Sequence, residues 1–379
     1  MASLFLIFST VILLLSPCED LPVTGKIDTL QYLRAFAALL VVFNHTWQQG
    51  AISTSLGLAH MGGFGVDIFF VISGFIMSYT LKETFASPKK AAIDFIIKRI
   101  IRIYPVYLIL LTPFVLKYLA SAPDLFAALT SYHLLGNLLL LPTFTGSPTY
   151  GPLLGVAWTL VYEMFFYLIY AAAILLSRRR VQAILLACAI ILVMVLSVNL
   201  LELRGERLGW TNFQFMVGDP LMLDFLLGSL CFFIVQANLR LRLNIGVAAL
   251  GALALTLLTT QLTNHGLPRL VIYGLPAFMV VLLLIQATDL PPSRLKHTLM
   301  LLGDASYSIY LIHINFAIIS NMLSDKSALN DDLIGIALSL CAVVCGILFH
   351  LKLEKPLIKK ISTRYRGQPM ALAGETLAK

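Results

Sequence analysis

Charge is scarce in this sequence: 12% of its 379 residues are Asp, Glu, Lys or Arg, against 59% hydrophobic residues. With a mean hydropathy of +0.89, that scarcity marks an all-α polytopic membrane protein. Cysteine is sparse too. Five residues, an odd number with no CxxC pair, give neither a disulfide framework nor a thiolate metal site. Four of them (Cys188, Cys231, Cys341 and Cys345) fall in apolar runs and read as small core residues. No His, Cys, Asp and Glu cluster stands at metal-ligand spacing, so no metal is expected. No basic stripe alternates with aromatics, so the formal charge of +8 does not point to nucleic acid. No repeat, low-complexity tract or soluble domain interrupts the chain.

What is abundant is the apolar run of about 20 residues, the length that crosses roughly 30 Å of hydrocarbon. Such runs predict a bundle of ten transmembrane helices near 30–49, 64–81, 100–119, 154–176, 181–201, 219–237, 244–262, 268–287, 303–322 and 333–351. Sorting the 27 Lys and Arg residues by loop places 22 on one side and 5 on the other, which puts both ends of the ten-helix core in the cytoplasm. Residues 1–25 form an apolar extension that reads as an eleventh, peripheral helix or as a start site set too early. Residues 358–379 read as a basic cytoplasmic tail.

Against this background each intramembrane charge needs a reason, because one ion at mid-depth costs about 2.5 kcal/mol or more. Arg34 and His45 lie in the first run, eleven residues or about 16 Å apart, on one helix face. Asp67 and Glu163 are expected in the outer halves of the second and fourth spans, at the depth of His45. Lys98, Arg99 and Arg102 sit at the inner end of the third, with Arg99 and Arg102 one turn apart. Lys98 reads as an anchor at the membrane surface. His313 and His350 read as interhelical hydrogen-bond formers. Asp224, Asp304 and Glu354 read as caps or structural pairs.

The order of these residues resembles the acyltransferase-3 family of integral membrane acyltransferases. "KIDTLQYLRAFAALLVVFNH" carries the family's Arg, ten residues, then His at Arg34 and His45. "GVDIFFVISGF" resembles its second-helix signature and Arg99 with Arg102 its RxxR pair. "WTLVYEMFFYL", "GDASYSIYLIH" and "LEKP" follow in order, so the likeness spans residues 26–357. Met164 departs from it, since relatives commonly carry a second acid there. Within the family the wording is nearest to the exopolysaccharide production acetyltransferases.

That resemblance implies acetyl-CoA as donor, a bacterial glycan or lipid-linked sugar hydroxyl as acceptor, and a place in the inner membrane. Arg99 and Arg102 can offer forked hydrogen bonds to the phosphates of CoA, with Arg34 drawing the donor inward. His45 is expected to take the hydroxyl proton or to carry the acetyl group, with Asp67 or Glu163 setting its tautomer. A secondary transporter of a polar, sugar-like solute would also bury charge at mid-depth and is the alternative reading.

Overall fold

The computed structural model describes residues 27–121, 131–143, 152–205, 212–237, 239, 242–326 and 329–366. Residues 1–25, the apolar extension, lie outside these. Among the described residues there is no β-strand, only isolated bridges such as Thr84 with Arg179. Helices run α1 (Asp28–Thr46), α2 (Ala51–Leu56), α3 (Leu58–Thr80), α4 (Pro88–Ser121), α5 (Ser131–Leu139), α6 (Trp158–Leu175), α7 (Arg180–Leu200) and α8 (Phe213–Val217). They continue with α9 (Leu223–Gln236), α10 (Ile245–Leu262), α11 (Leu275–Ile285), α12 (Arg294–Asp304), α13 (Ser306–Lys326), α14 (Asp331–Phe349) and α15 (Lys355–Arg366).

Each of the ten expected spans coincides with a helix, yet fewer meet the demands of a crossing. Six helical segments are long and apolar enough to span a membrane, and the pair α12 and α13, bent by 71°, makes up to seven. The segments Pro220–Gln236 and Leu270–Ile285 are apolar but short. The chain is thus an all-α membrane protein with six or seven such segments among the described residues. α15 runs across the boundary expected at 357/358, so the start of the basic tail is helical.

Close helix contact relies on small residues, because hydrocarbon supplies no hydrophobic drive between helices and packing must do so. α3 and α9 cross at Gly74 and Gly228. A Cβ on Gly74 would stand 2.2 Å from the Phe225 carbonyl oxygen, and one on Gly228 would stand 2.1 Å from that of Val71. Beside this crossing Ser78 donates to Ser229 at 3.0 Å, and Ser229 meets the Tyr170 hydroxyl at 2.7 Å. At Gly303 the end of α12 presses on α1, leaving 2.2 Å between an added Cβ and the Gln31 carbonyl. Pro105 and Pro113 are carried inside α4, as spanning helices tolerate when neighbours satisfy the freed groups.

The cysteines divide. Cys188 and Cys231 are buried as expected, whereas Cys341 and Cys345 face outward from α14. An apolar run gives no sign of which face meets lipid, since lipid and core favour the same side chains.

Candidate active site

α1, α3, α4, α6 and α13 line a partly open pocket whose empty space, open solvent included, is about 750 Å³. Each wall contributes a polar group: Arg34 from α1, Ser73 from α3, Arg99 and Arg102 from α4, Glu163 and Tyr167 from α6, and Ser306, Tyr307 and Tyr310 from α13. Apolar side chains of α3, among them Phe69, Phe70 and Met77, complete it. Three arginines therefore line one space with a single carboxylate.

The charged groups are held by their neighbours. Arg34 is buried and donates to Gln31, one turn back, at 3.3 Å. It stands within electrostatic range of Arg102, Glu163, Asp304 and Glu354. The Arg99 guanidinium lies over the rings of Phe95 and Tyr167, 5.2 and 5.3 Å from their centroids, and donates to Thr80 at 3.3 Å. Stacking of this kind favours a weakly hydrated guanidinium over an ammonium. Glu163 accepts from the Tyr167 hydroxyl and, at 3.4 Å, from Ser73. Glu354 is engaged by His350 at 2.8 Å and by Ser308 at 2.5 Å. Ser306, at the break between α12 and α13, has a buried hydroxyl without a hydrogen-bond partner. A cavity whose cations outnumber its anions, and whose wall holds an unmet hydroxyl, is built for an anionic, hydrogen-bonding ligand.

His45 lies beyond one end of this space. Its Nδ1 is 2.8 Å from the Val41 carbonyl of its own helix. A carbonyl only accepts, so Nδ1 carries the proton and Nε2 keeps its lone pair. The orienting partner is a backbone group and neither of the carboxylates expected in that role. The ring packs edge-on against His313, with centroids 5.0 Å apart. His313 in turn sits 5.7 Å from the ring of Tyr310, which lines the cavity. Tyr310 is fixed by hydrogen bonds to Thr159 at 2.9 Å and to the Val156 carbonyl at 3.1 Å.

The common depth expected for His45, Asp67 and Glu163 is not found. Along α3, Gly62 donates to Asn44, the neighbour of His45, whereas Ser73 meets Glu163. Eleven residues of helix, about 16 Å, separate those levels. Glu163 sits deep because the segment leading into α6 starts inside the fold: Leu154 and Ala157 are fully buried. Glu163 thus shares the space of the three arginines.

Asp67 belongs to a different cluster. Its carboxylate is ion-paired to Arg269, which also reaches the Gly63 carbonyl at 3.4 Å and lies over the Tyr273 ring at 5.3 Å. Asp224, equally buried, is the neighbouring acid, packed so tightly on Gly274 that a Cβ there would stand 2.6 Å from its Oδ1. Arg269 is one of the five basic residues that sort to the outer side, at the start of the run 268–287. That place at the head of an apolar run, on a side poor in basic residues, was the signal available for it. Tyr167 stands in the stretch WTLVYEMFFYL, and Ser306, Tyr307 and Tyr310 stand in GDASYSIYLIH; the family resemblance of those stretches was the signal available for them, although none was singled out as a site residue. Among the described residues, no group of three or more His, Cys, Asp or Glu side chains is placed to hold a metal.

Fold and cavity together define an all-α membrane protein with an arginine-lined chamber in its helix bundle. Residues 27–351 match the acyltransferase domain family, and the chain belongs to that family. It is 31% identical over 331 residues to the exopolysaccharide production protein ExoZ of Rhizobium meliloti (strain 1021), covering 83% of this chain and 94% of that protein. It is 24% identical over 380 residues to the acyltransferase MdmB of Streptomyces mycarofaciens, covering 93% and 96%. No solved structure matches it. The protein is an acyltransferase, and the transporter reading falls away.

Proposed function

We propose that this acyltransferase moves an acetyl group from cytoplasmic acetyl-CoA to a hydroxyl of an exopolysaccharide or related surface-glycan precursor in a bacterial inner membrane. The observation that carries the reading is the chamber with three arginines and one carboxylate. In it Arg99 and Arg102 bind the phosphates of CoA and Arg34 draws the donor inward. The likeness to ExoZ supports a glycan acceptor. In this reading the chain crosses the membrane ten times, α1 and the two short apolar segments included, with the ends of its core in the cytoplasm. The arginine end of the chamber then faces the CoA pool.

Acyl transfer needs the acceptor hydroxyl deprotonated as its oxygen attacks the thioester carbonyl. The C–O bond forms, the C–S bond breaks, and the proton taken by the base passes to the leaving thiolate. His45, with Nε2 unprotonated, is that base. Glu163 holds the arginines and Tyr167 in register at the donor end. Asp67 stabilises the bundle through Arg269.

The test is CoA thiol release from acetyl-CoA by the purified full-length chain in octyl glucoside, whose sugar serves as acceptor. Wild type releases thiol, and His45→Gln, which keeps the size but cannot take a proton, loses about 100-fold or more while binding CoA normally. Failure of the wild type to release thiol, or near-wild-type turnover by His45→Gln, overturns the reading.

A further inference from the structure

One polar side chain of the chamber wall has no task in the chemistry so far. Ser306 opens α13, lines the chamber and is 1% exposed, and its hydroxyl has no hydrogen-bond partner. The other hydroxyls between Ser306 and Tyr310 are all held. Tyr307 donates to the Ile103 carbonyl at 2.9 Å, Ser308 to Glu354 at 2.5 Å and Tyr310 to the Val156 carbonyl at 3.1 Å. A buried serine or threonine in a helix ordinarily escapes the unpaired state by donating to the carbonyl four residues back. Ser78 does so at 2.9 Å, Ser339 at 2.7 Å and Thr46 at 2.8 Å. Ser306 does not, because the residue four back belongs to α12, which meets α13 at a bend of 71°. The bend thus deprives the hydroxyl of its local acceptor and leaves it in the wall of a chamber lined by three arginines. A buried polar group in that state calls for a partner from outside the chain.

Two contacts fix the level of this hydroxyl. Gly303 presses on Gln31, one turn before Arg34, and the Tyr307 phenol holds the carbonyl of Ile103, the residue after Arg102. The break between α12 and α13 therefore stands beside Arg34 and Arg102, one helical turn along α4 from Arg99. We propose that Ser306 and the N-terminal end of α13 form the subsite for the inner phosphate of the donor, the one that carries the pantetheine arm. Arg34 and Arg102 flank it, and Arg99 is left for the outer phosphate of the diphosphate. The serine hydroxyl donates to a phosphate oxygen, and no proton is transferred. Rotation at χ1 between staggered positions turns the hydroxyl from the dry wall to the anion once the chamber is filled. The start of a helix also favours an anion, and helices broken within a membrane aim that end at the anionic groups of their substrates. The arginines supply charge, whereas the hydroxyl supplies one donor at a fixed depth. That donor sets where the pantetheine arm begins, and so how far along α13 the thioester reaches.

This inference rests on the reading that acetyl-CoA occupies the chamber, and the experiment separates the two. Binding of CoA, 4′-phosphopantetheine and pantetheine, which has no phosphate, is measured by calorimetry on the purified full-length chain, wild type and Ser306→Ala. Wild type should bind both phosphorylated ligands more tightly than pantetheine. Ser306→Ala should lose about tenfold toward CoA and 4′-phosphopantetheine alike, the effect of one hydrogen bond to a charged group, and nothing toward pantetheine. Its melting temperature without ligand should equal or exceed that of wild type, because the substitution deletes an unsatisfied group and breaks no bond. A loss shared by pantetheine would place the hydroxyl on the arm, and a loss for CoA alone would place it on the outer phosphates. Either result overturns the subsite and leaves the donor in the chamber. Unchanged affinity for all three, or a variant that melts well below wild type, overturns it in the same way. A wild-type protein with no preference for the phosphorylated ligands overturns the subsite and the donor reading together.

Discussion

Two groups of wholly or partly buried charge lie in this bundle, and they differ in what surrounds them. Around Arg269, the ions face each other: the guanidinium meets the Asp67 carboxylate, Asp224 packs on Gly274, and the cluster lies outside the chamber. Around Arg34, Arg99 and Arg102, the charges face the partly open pocket and share one lining carboxylate. Both groups hold charge away from water, yet only the second faces open space in which a ligand could meet it. The lesson is that an intramembrane ion marks a site when it faces open space without a direct ion pair, and marks a structural joint when it is paired directly, as Arg269 is with Asp67.

Variants break or sharpen this contrast in a definite order. Arg269→Ala leaves Asp67 and Asp224 adjacent with no cation, and removing one partner of a buried pair costs about 3–5 kcal/mol. The purified variant should melt well below wild type, while the fraction that stays folded binds CoA with unchanged affinity. A variant as stable as wild type would dissolve the structural role of this cluster. Arg99→Ala combined with Arg102→Ala works the other way. Two charge-assisted hydrogen bonds at about 1.5 kcal/mol or more each amount to roughly 100-fold in CoA affinity, with insertion and melting temperature preserved. Calorimetry showing wild-type CoA binding would remove the chamber from donor recognition.

Smaller changes sharpen the picture within the chamber. Tyr167→Phe deletes the hydrogen bond to Glu163 but keeps the ring under Arg99. The expected loss is about 1 kcal/mol, roughly fivefold in kcat/KM for acetyl-CoA. A hundredfold loss would instead give the phenol a direct part in the chemistry. At the bottom of the scale, exhaustive chelation should leave thiol release unchanged. Activity lost on chelation and restored only by a divalent cation would show a metal in the mechanism.

The difference between the two groups also explains what could be read from the residues alone. All ten apolar runs became helices, because length and hydropathy are local properties. Arg34, Arg99 and Arg102 were legible as one group, since helical spacing and charge sorting gave their faces and their end of the bundle. Glu163 was assigned the wrong depth, because counting from the start of a run assumes that the run starts at the membrane surface, and α6 starts inside the protein. The partner of Asp67 is 202 residues away, on the far side of several helices, where no spacing rule reaches. For the same reason His45 could be recognised as costly while its neighbour His313, 5.0 Å away in space, read only as a hydrogen-bond former. In apolar helices the missing information is which face meets which neighbour, and Cys341 and Cys345 show how completely an apolar run conceals it.

The central claim is that the donor occupies the arginine chamber with its thioester pointing along α13 toward His45. The most direct measurement is a cryo-EM map of the full-length chain in a lipid nanodisc with acetyl-CoA added. The account predicts density in the chamber, with the phosphates against Arg99 and Arg102 and the thioester at the Tyr310 end, nearer to His45 than any phosphate. CoA bound elsewhere, or in the chamber with its thioester at the arginine end, would contradict it.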